Sequence, residues 1–261
     1  MKLSRSVSWL LVTVIATAGI SIAVEAGAES EAEAVANRAI AQLAAWQNKG
    51  ARKTLEAKKN ALGDSAEFKT AWALLEIQEA ADASKSFPAA PPSKLANAAK
   101  SGSNPAAKFW EGEVLYYQNK KNPASAAWRA AAAKAGQQVN KDFTDATAQF
   151  YLGAAQVRLK KFEPARKALL LAARGGFDPA MVNHQYGLSY LFAENWQEAI
   201  KAFDLGLSIN PRYAPMYYWR AMAWDKLGKK DKMLLDLDQF VKLAPNAPEA
   251  GRARTILKSG G

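Results

Sequence analysis

Apolar and polar positions follow helical spacing along most of the chain, and from about residue 144 the spacing itself repeats. Gly187 and Tyr190 stand at i and i+3, and Ala199, Phe203 and Gly206 at i, i+4 and i+7, so each set lies on one face of a helix. Matching residues recur at a step of 34: Gly153, Gly187 and Ala221; Ala165, Ala199 and Met233; Leu169, Phe203 and Leu237; Ala172, Gly206 and Phe240. Pro211 and Pro245 close two successive units, because proline cannot continue a helix. A fixed period of this size predicts stacked antiparallel helix pairs. Small residues admit a close crossing of the two helices, and Tyr190, Trp196 and Phe203 fill the seam.

The first half reads as helical but less regular. Ala36, Ile40, Leu43, Ala44 and Trp46 give a first apolar stripe, Asn48-Lys49-Gly50 a turn, and Leu55, Ala61 and Leu62 a second helix ending at Gly63. Residues 65–84 predict a third, capped by Ser65. The stretch 86–93, SFPAAPPS, breaks the pattern, and a short helix is expected at Lys94–Lys100. Asn104-Pro105 opens a helix through Phe109, Trp110, Val114 and Tyr117. Asn122-Pro123 opens its partner, which runs to Lys134, with a linking loop from Gly136 to Phe143. After Pro245 a terminal helix, Glu249–Lys258, is placed to cover the last apolar seam. The expected organisation is a leader at 1–28, a degenerate hairpin region at 29–141, regular repeats at 142–245, and a capping helix and tail at 246–261.

The regular stretch resembles the tetratricopeptide repeat family. Its pattern of small residue, aromatic, alanine, aromatic and closing proline is met by Gly187, Tyr190, Ala199, Phe203 and Pro211. The next unit matches at Ala221, Trp224, Leu237 and Pro245 but carries Met233 for the alanine. The preceding unit matches at Gly153, Ala165, Leu169 and Ala172 but has Gln156 for the aromatic and Phe177 for the proline. The resemblance covers roughly residues 144–258. It implies an all-α, right-handed superhelical array of helix pairs, an α-solenoid, and a binding rather than a catalytic role.

Lys2 and Arg5 precede an apolar run from Val7 to Val24 and an Ala26-Gly27-Ala28 site, the layout of a secretory signal peptide. The other reading of the run is an uncleaved membrane anchor. Export places the protein in the periplasm or cell envelope and removes nucleic acid as an expected partner. The chain has no cysteine, which excludes disulfides, thiol catalysis and zinc–thiolate sites. Without residues 1–28 it carries 33 basic and 23 acidic residues, a net charge of +10. That charge allows an anionic polymer or envelope glycan as an alternative ligand.

Catalytic chemistry finds little to work with. His184 is the only histidine, no phosphate-cradling glycine loop exists, and Glu111 and Glu113 fall on different helix faces. No cofactor, metal or enzymatic activity is expected. What remains is a groove for a protein or peptide partner along the first helix of each unit. It is expected to use Phe150, Tyr151, Arg158, His184, Gln185, Leu188, Tyr218, Trp219 and Met222. The family's clamp for acidic peptide C-termini uses Lys and Asn at such positions. Phe150, His184 and Tyr218 stand there instead, so that specificity is not implied.

Overall fold

A computed structural model describes residues 30–84, 95, 97 and 104–260 of the chain. The expected leader at 1–28, the proline-rich stretch at 86–93 and most of the short helix at 94–100 lie outside the described residues. Thirteen α-helices are present among the described residues. They are α1 (Glu31–Ala44), α2 (Asn48–Glu56), α3 (Lys59–Leu62), α4 (Ala66–Ser84), α5 (Pro105–Tyr117), α6 (Lys121–Lys141) and α7 (Ala146–Arg158), followed by α8 (Phe162–Arg174), α9 (Pro179–Phe192), α10 (Trp196–Ile209), α11 (Ala214–Lys226), α12 (Lys230–Leu243) and α13 (Ala250–Gly260). No described helix is long and apolar enough to cross a membrane.

The array is built from hairpins α5–α6, α7–α8, α9–α10 and α11–α12, each packed on the next, with α13 against α12. Some helix starts are set by side chains that accept otherwise orphaned backbone N–H groups: Ser30 in a reciprocal capping box with Glu33, Asn104 at Ala106, Asp145 at Ala148, and Asp178 at Met181. Pro105 and Pro179 then occupy first-turn positions, where the missing N–H costs nothing.

Each hairpin turns through one residue in the left-handed region. Asn119, Lys160, Glu194 and Gly228 have φ of 60°, 59°, 61° and 68°. The last three are spaced by 34, so the turn repeats with the unit although its side chain changes. Trp46 (φ 56°) makes the equivalent turn between α1 and α2.

The crossings also share one geometry. A Cβ built on Gly112 would meet the Trp128 ring at 2.4 Å, one on Gly153 Leu169 Cγ at 2.7 Å, and one on Gly187 the Phe203 ring at 2.2 Å. Each glycine lies 16 residues before the side chain that fills its space, as Ala221 does before Leu237. Three sequence-based boundaries shift, the first being the turn expected at Asn48-Lys49-Gly50, which lies earlier because α2 begins at Asn48. The helix expected to stop at Lys134 continues as α6 to Lys141, passing through Gly136, which meets nothing there, so the linking loop expected from Gly136 begins only after Lys141. The second helix breaks at Ala57–Lys58 into α2 and α3.

The two ends of the chain meet. Asp82 on α4 accepts from Trp46 Nε1 (3.2 Å), Asn48 Nδ2 (2.7 Å) and Asn246 Nδ2 (3.1 Å), joining the first hairpin to the segment after α12. Trp46 also packs on the C-terminal cluster that contains Phe240, Ala244 and Ala247. Tyr117 donates to Glu249 Oε1 at 2.5 Å from the other side. Side chains of α1 and α4 thus face the array, and the segment after α12 reaches the first hairpin.

Candidate binding face

Most of the expected groove residues are covered by the protein itself. Phe150 is stacked on Phe177 at 4.1 Å between ring centroids, and Tyr151 packs edge-on against Phe150 and is held by Phe109 at 5.8 Å. Tyr218 lies on Phe240 at 5.2 Å, and Leu188 and Gln185 are buried. His184 is enclosed by Phe203 and Tyr213, with its Nδ1 3.4 Å from the Tyr213 hydroxyl. Burial, and secondarily the charge of Arg158, push its pKa down to about 3, so the ring is neutral at ordinary pH. The expectation of an open groove along these six residues is therefore corrected. The concave side is occupied by α1 and α4: Asn37 on α1 donates to Thr147 on α7 at 3.2 Å, and Ile40 and Leu43 share a cavity wall with Met181 and His184.

Arg158 is a buried charge with a built partner. Its Nε donates to Glu113 Oε1 at 2.8 Å and a terminal nitrogen donates to Glu113 Oε2, a bidentate pair with both side chains under one-tenth exposed. Burial acts to lower the Arg158 pKa, but the Glu113 carboxylate outweighs it and the net direction is up. Three rings surround the guanidinium: Tyr116 at 6.0 Å, Trp128 at 5.8 Å and Phe192 at 5.8 Å. Beside this pair, burial raises the pKa of Glu249, which accepts from Tyr117.

Exposed large apolar side chains include Phe143, Leu205 and Leu235 away from this cluster, but at its rim several rings stand together. Tyr116 is 41% exposed, and Phe192, Trp219 and Met222 are half-buried. Phe192 and Trp219 meet edge-to-face at 5.7 Å, and Phe192 continues over Arg158 towards Tyr116. Of the consecutive pair Tyr218 and Trp219, the first is core and the second reaches the rim. Sequence reading missed Tyr116 and Phe192. Phe192 was within reach, since it stands 34 residues after Arg158; Tyr116 lies in the less regular first half and has no column to mark it.

Other basic side chains are also engaged. Arg220 bridges Asp204 and Asp236 (2.6 Å each), and Arg52 pairs with Glu79 and Glu56. No group of three or more His, Asp or Glu capable of holding a metal occurs among the described residues.

No family model matches the sequence, and no curated protein matches it. Solved structures do. The thermophilic tetratricopeptide repeat protein TTC0263 of Thermus thermophilus is similar with a TM-score of 0.51 and 17% identity, over 75% of this chain and 98% of that one. YrrB, a tetratricopeptide repeat protein with an unusual peptide-binding site, aligns at TM-score 0.39 and 16% identity over 77% of this chain and 96% of its own. The type IV pilus biogenesis factor PilW aligns at TM-score 0.44 and 16% identity over 74% and 92%. The fold is that of a tetratricopeptide-type α-solenoid.

Proposed function

We propose that the protein is a non-enzymatic adaptor of the cell envelope that holds a partner polypeptide against the rim formed by Tyr116, Phe192, Trp219 and Met222. The observation that supports this is the half-exposed ladder of rings on an otherwise self-filled concave side. Arg158, the cation beneath these rings, is paired with Glu113, so it offers them a π contact rather than a free charge. That surface suits an extended segment or helix with apolar or aromatic anchors. The envelope setting rests on Lys2, Arg5 and the apolar run before Ala28.

The test is to isolate the tagged protein with its bound partner from the native host, identify the partner, and titrate it against wild type and Tyr116→Ala/Trp219→Ala. The double variant should bind at least about tenfold more weakly, with its circular dichroism unchanged. Wild-type affinity in the variant moves the site off this rim. A wild-type affinity that collapses between 0.1 and 1 M salt assigns the contact to lysines and arginines instead. Amino-terminal sequencing of the same material should begin at Glu29, or at Gly27 if the earlier site is cut; an intact Met1 form in the membrane fraction contradicts export with cleavage.

A further inference from the structure

Between the inward-lying helices α1 and α4 and the array lies a cavity of about 160 Å³. Its walls come from both ends of the chain and from the middle: Ile40 on α1, Ile77 on α4, Phe109 on α5, Met181 on α9 and Phe240 on α12 are among them. An engineered apolar cavity of about 150 Å³ binds benzene, so this one has room for a single ring. Unlike such a cavity, it is not wholly apolar. His184, Gln185 and Gln78 also line it, and His184 Nε2, Gln185 Oε1 and Gln78 Oε1 are buried polar atoms with no hydrogen-bond partner in the protein. Buried polar atoms in native folds are almost always paired, because an unpaired one costs free energy. The charged groups of the lining do not share this lack: Arg158 is paired with Glu113, and Glu249 accepts from Tyr117.

We propose that this cavity is a binding site for a small, uncharged, largely apolar molecule of about one ring that carries a hydrogen-bond donor, as a phenol or indole does. The apolar walls take the ring. The two glutamine carbonyl oxygens are acceptors only, so the complementary head is an O–H or N–H. An anionic head has no free counter-charge there, since Arg158 already faces a carboxylate and His184 is neutral, and a cationic one meets only Glu249, whose carboxyl burial pushes towards its neutral form and which already accepts from Tyr117. The cavity shares Trp219 with the rim proposed above but takes a small molecule rather than the polypeptide partner.

The five methionines supply an internal reporter: Met181 lines the cavity, whereas Met216, Met222 and Met233 do not. The full-length protein, labelled with ¹³C at the methionine methyls, is titrated with phenol, toluene and benzoate, each to about 10 mM. Phenol should shift the Met181 methyl saturably and leave Met233 in place, with toluene at least about fivefold weaker and benzoate inert. Gln185→Leu, which keeps the volume and removes the acceptor, should bring phenol down to the affinity of toluene. No movement of Met181 with any of the three probes overturns the proposal. So does equal movement of all methyls. Toluene binding wild type as tightly as phenol overturns the donor requirement.

Discussion

Gly187 and Phe203 define the crossing of α9 and α10: a methyl group on Gly187 would sit 2.2 Å from Cε1 of the Phe203 ring. No carbon pair tolerates that distance, so either the ring or a helix must move. Phe203 is fully buried and cannot swing aside into solvent. Gly187→Ala should therefore lower stability by about 1–3 kcal/mol, and Gly187→Leu by more. Phe203→Leu in the Gly187→Ala background should recover part of the loss. Thermal melts of the three variants check this; an unchanged melting temperature in Gly187→Ala contradicts the crossing.

The left-handed turn residues respond in the opposite direction. Glu194 sits at φ 61° without being glycine, in a conformation that costs an L-residue about 1–2 kcal/mol. Glu194 is exposed and its equivalent one unit later, Gly228, is a glycine with open space around its Cα. Glu194→Gly should be neutral to stabilising by up to about 1 kcal/mol, the strain relieved being partly offset by a freer unfolded chain. Gly228→Ala should destabilise by about 1 kcal/mol although its side chain would touch nothing. Denaturant midpoints at constant slope separate the two.

The Arg158–Glu113 pair should show strong non-additivity. With both side chains under one-tenth exposed, removal of one partner leaves the other charged and buried. Arg158→Met and Glu113→Leu should each cost about 3–5 kcal/mol, and the double variant clearly less than their sum. A double-mutant cycle with additive costs would mean that solvent reaches the pair.

Two buried groups give opposite acid responses. His184 has its folded pKa lowered from 6.5 to about 3, so it binds fewer protons folded than unfolded in that window. Its contribution is fully present above pH 6.5 and is lost as pH falls towards 3, by an upper bound of about 5 kcal/mol. Glu249 has its folded pKa raised by burial, so it binds more protons folded than unfolded above the ordinary carboxylate range. Its effect is a loss of stability as pH rises through that raised value. His184→Gln should flatten the acid limb of stability against pH; Glu249→Gln should raise stability at neutral pH relative to wild type. An acid limb unchanged in His184→Gln would contradict the enclosure of the ring.

Legibility in the sequence tracked repetition. Gly153, Gly187 and Ala221 could be aligned because each unit solves the same packing problem with the same residue sizes. The conformation at Lys160 and Glu194 could not be read from their side chains, which do not favour it; only their place 34 residues apart marks it. The closing of the space beside His184 and Gln185 was out of reach for a different reason. It depends on α1, α4 and the residues around Ala247 arriving from the two ends of the chain, and contacts separated by 132 or 164 residues leave no periodic trace. Trp219 and Arg158 were placed near the rim by their columns, whereas Tyr116 needed coordinates.

The hydrogen bonds converging on Asp82 carry a consequence for how the molecule comes apart. A linear stack interacts only with nearest neighbours, so its terminal units fray first and independently. Here the first hairpin and the segment after α12 share Asp82 and the Trp46 contact, so neither terminus can loosen without exposing the other. Such a chain resembles a ring more than a spring, and its two ends are expected to melt together rather than one by one.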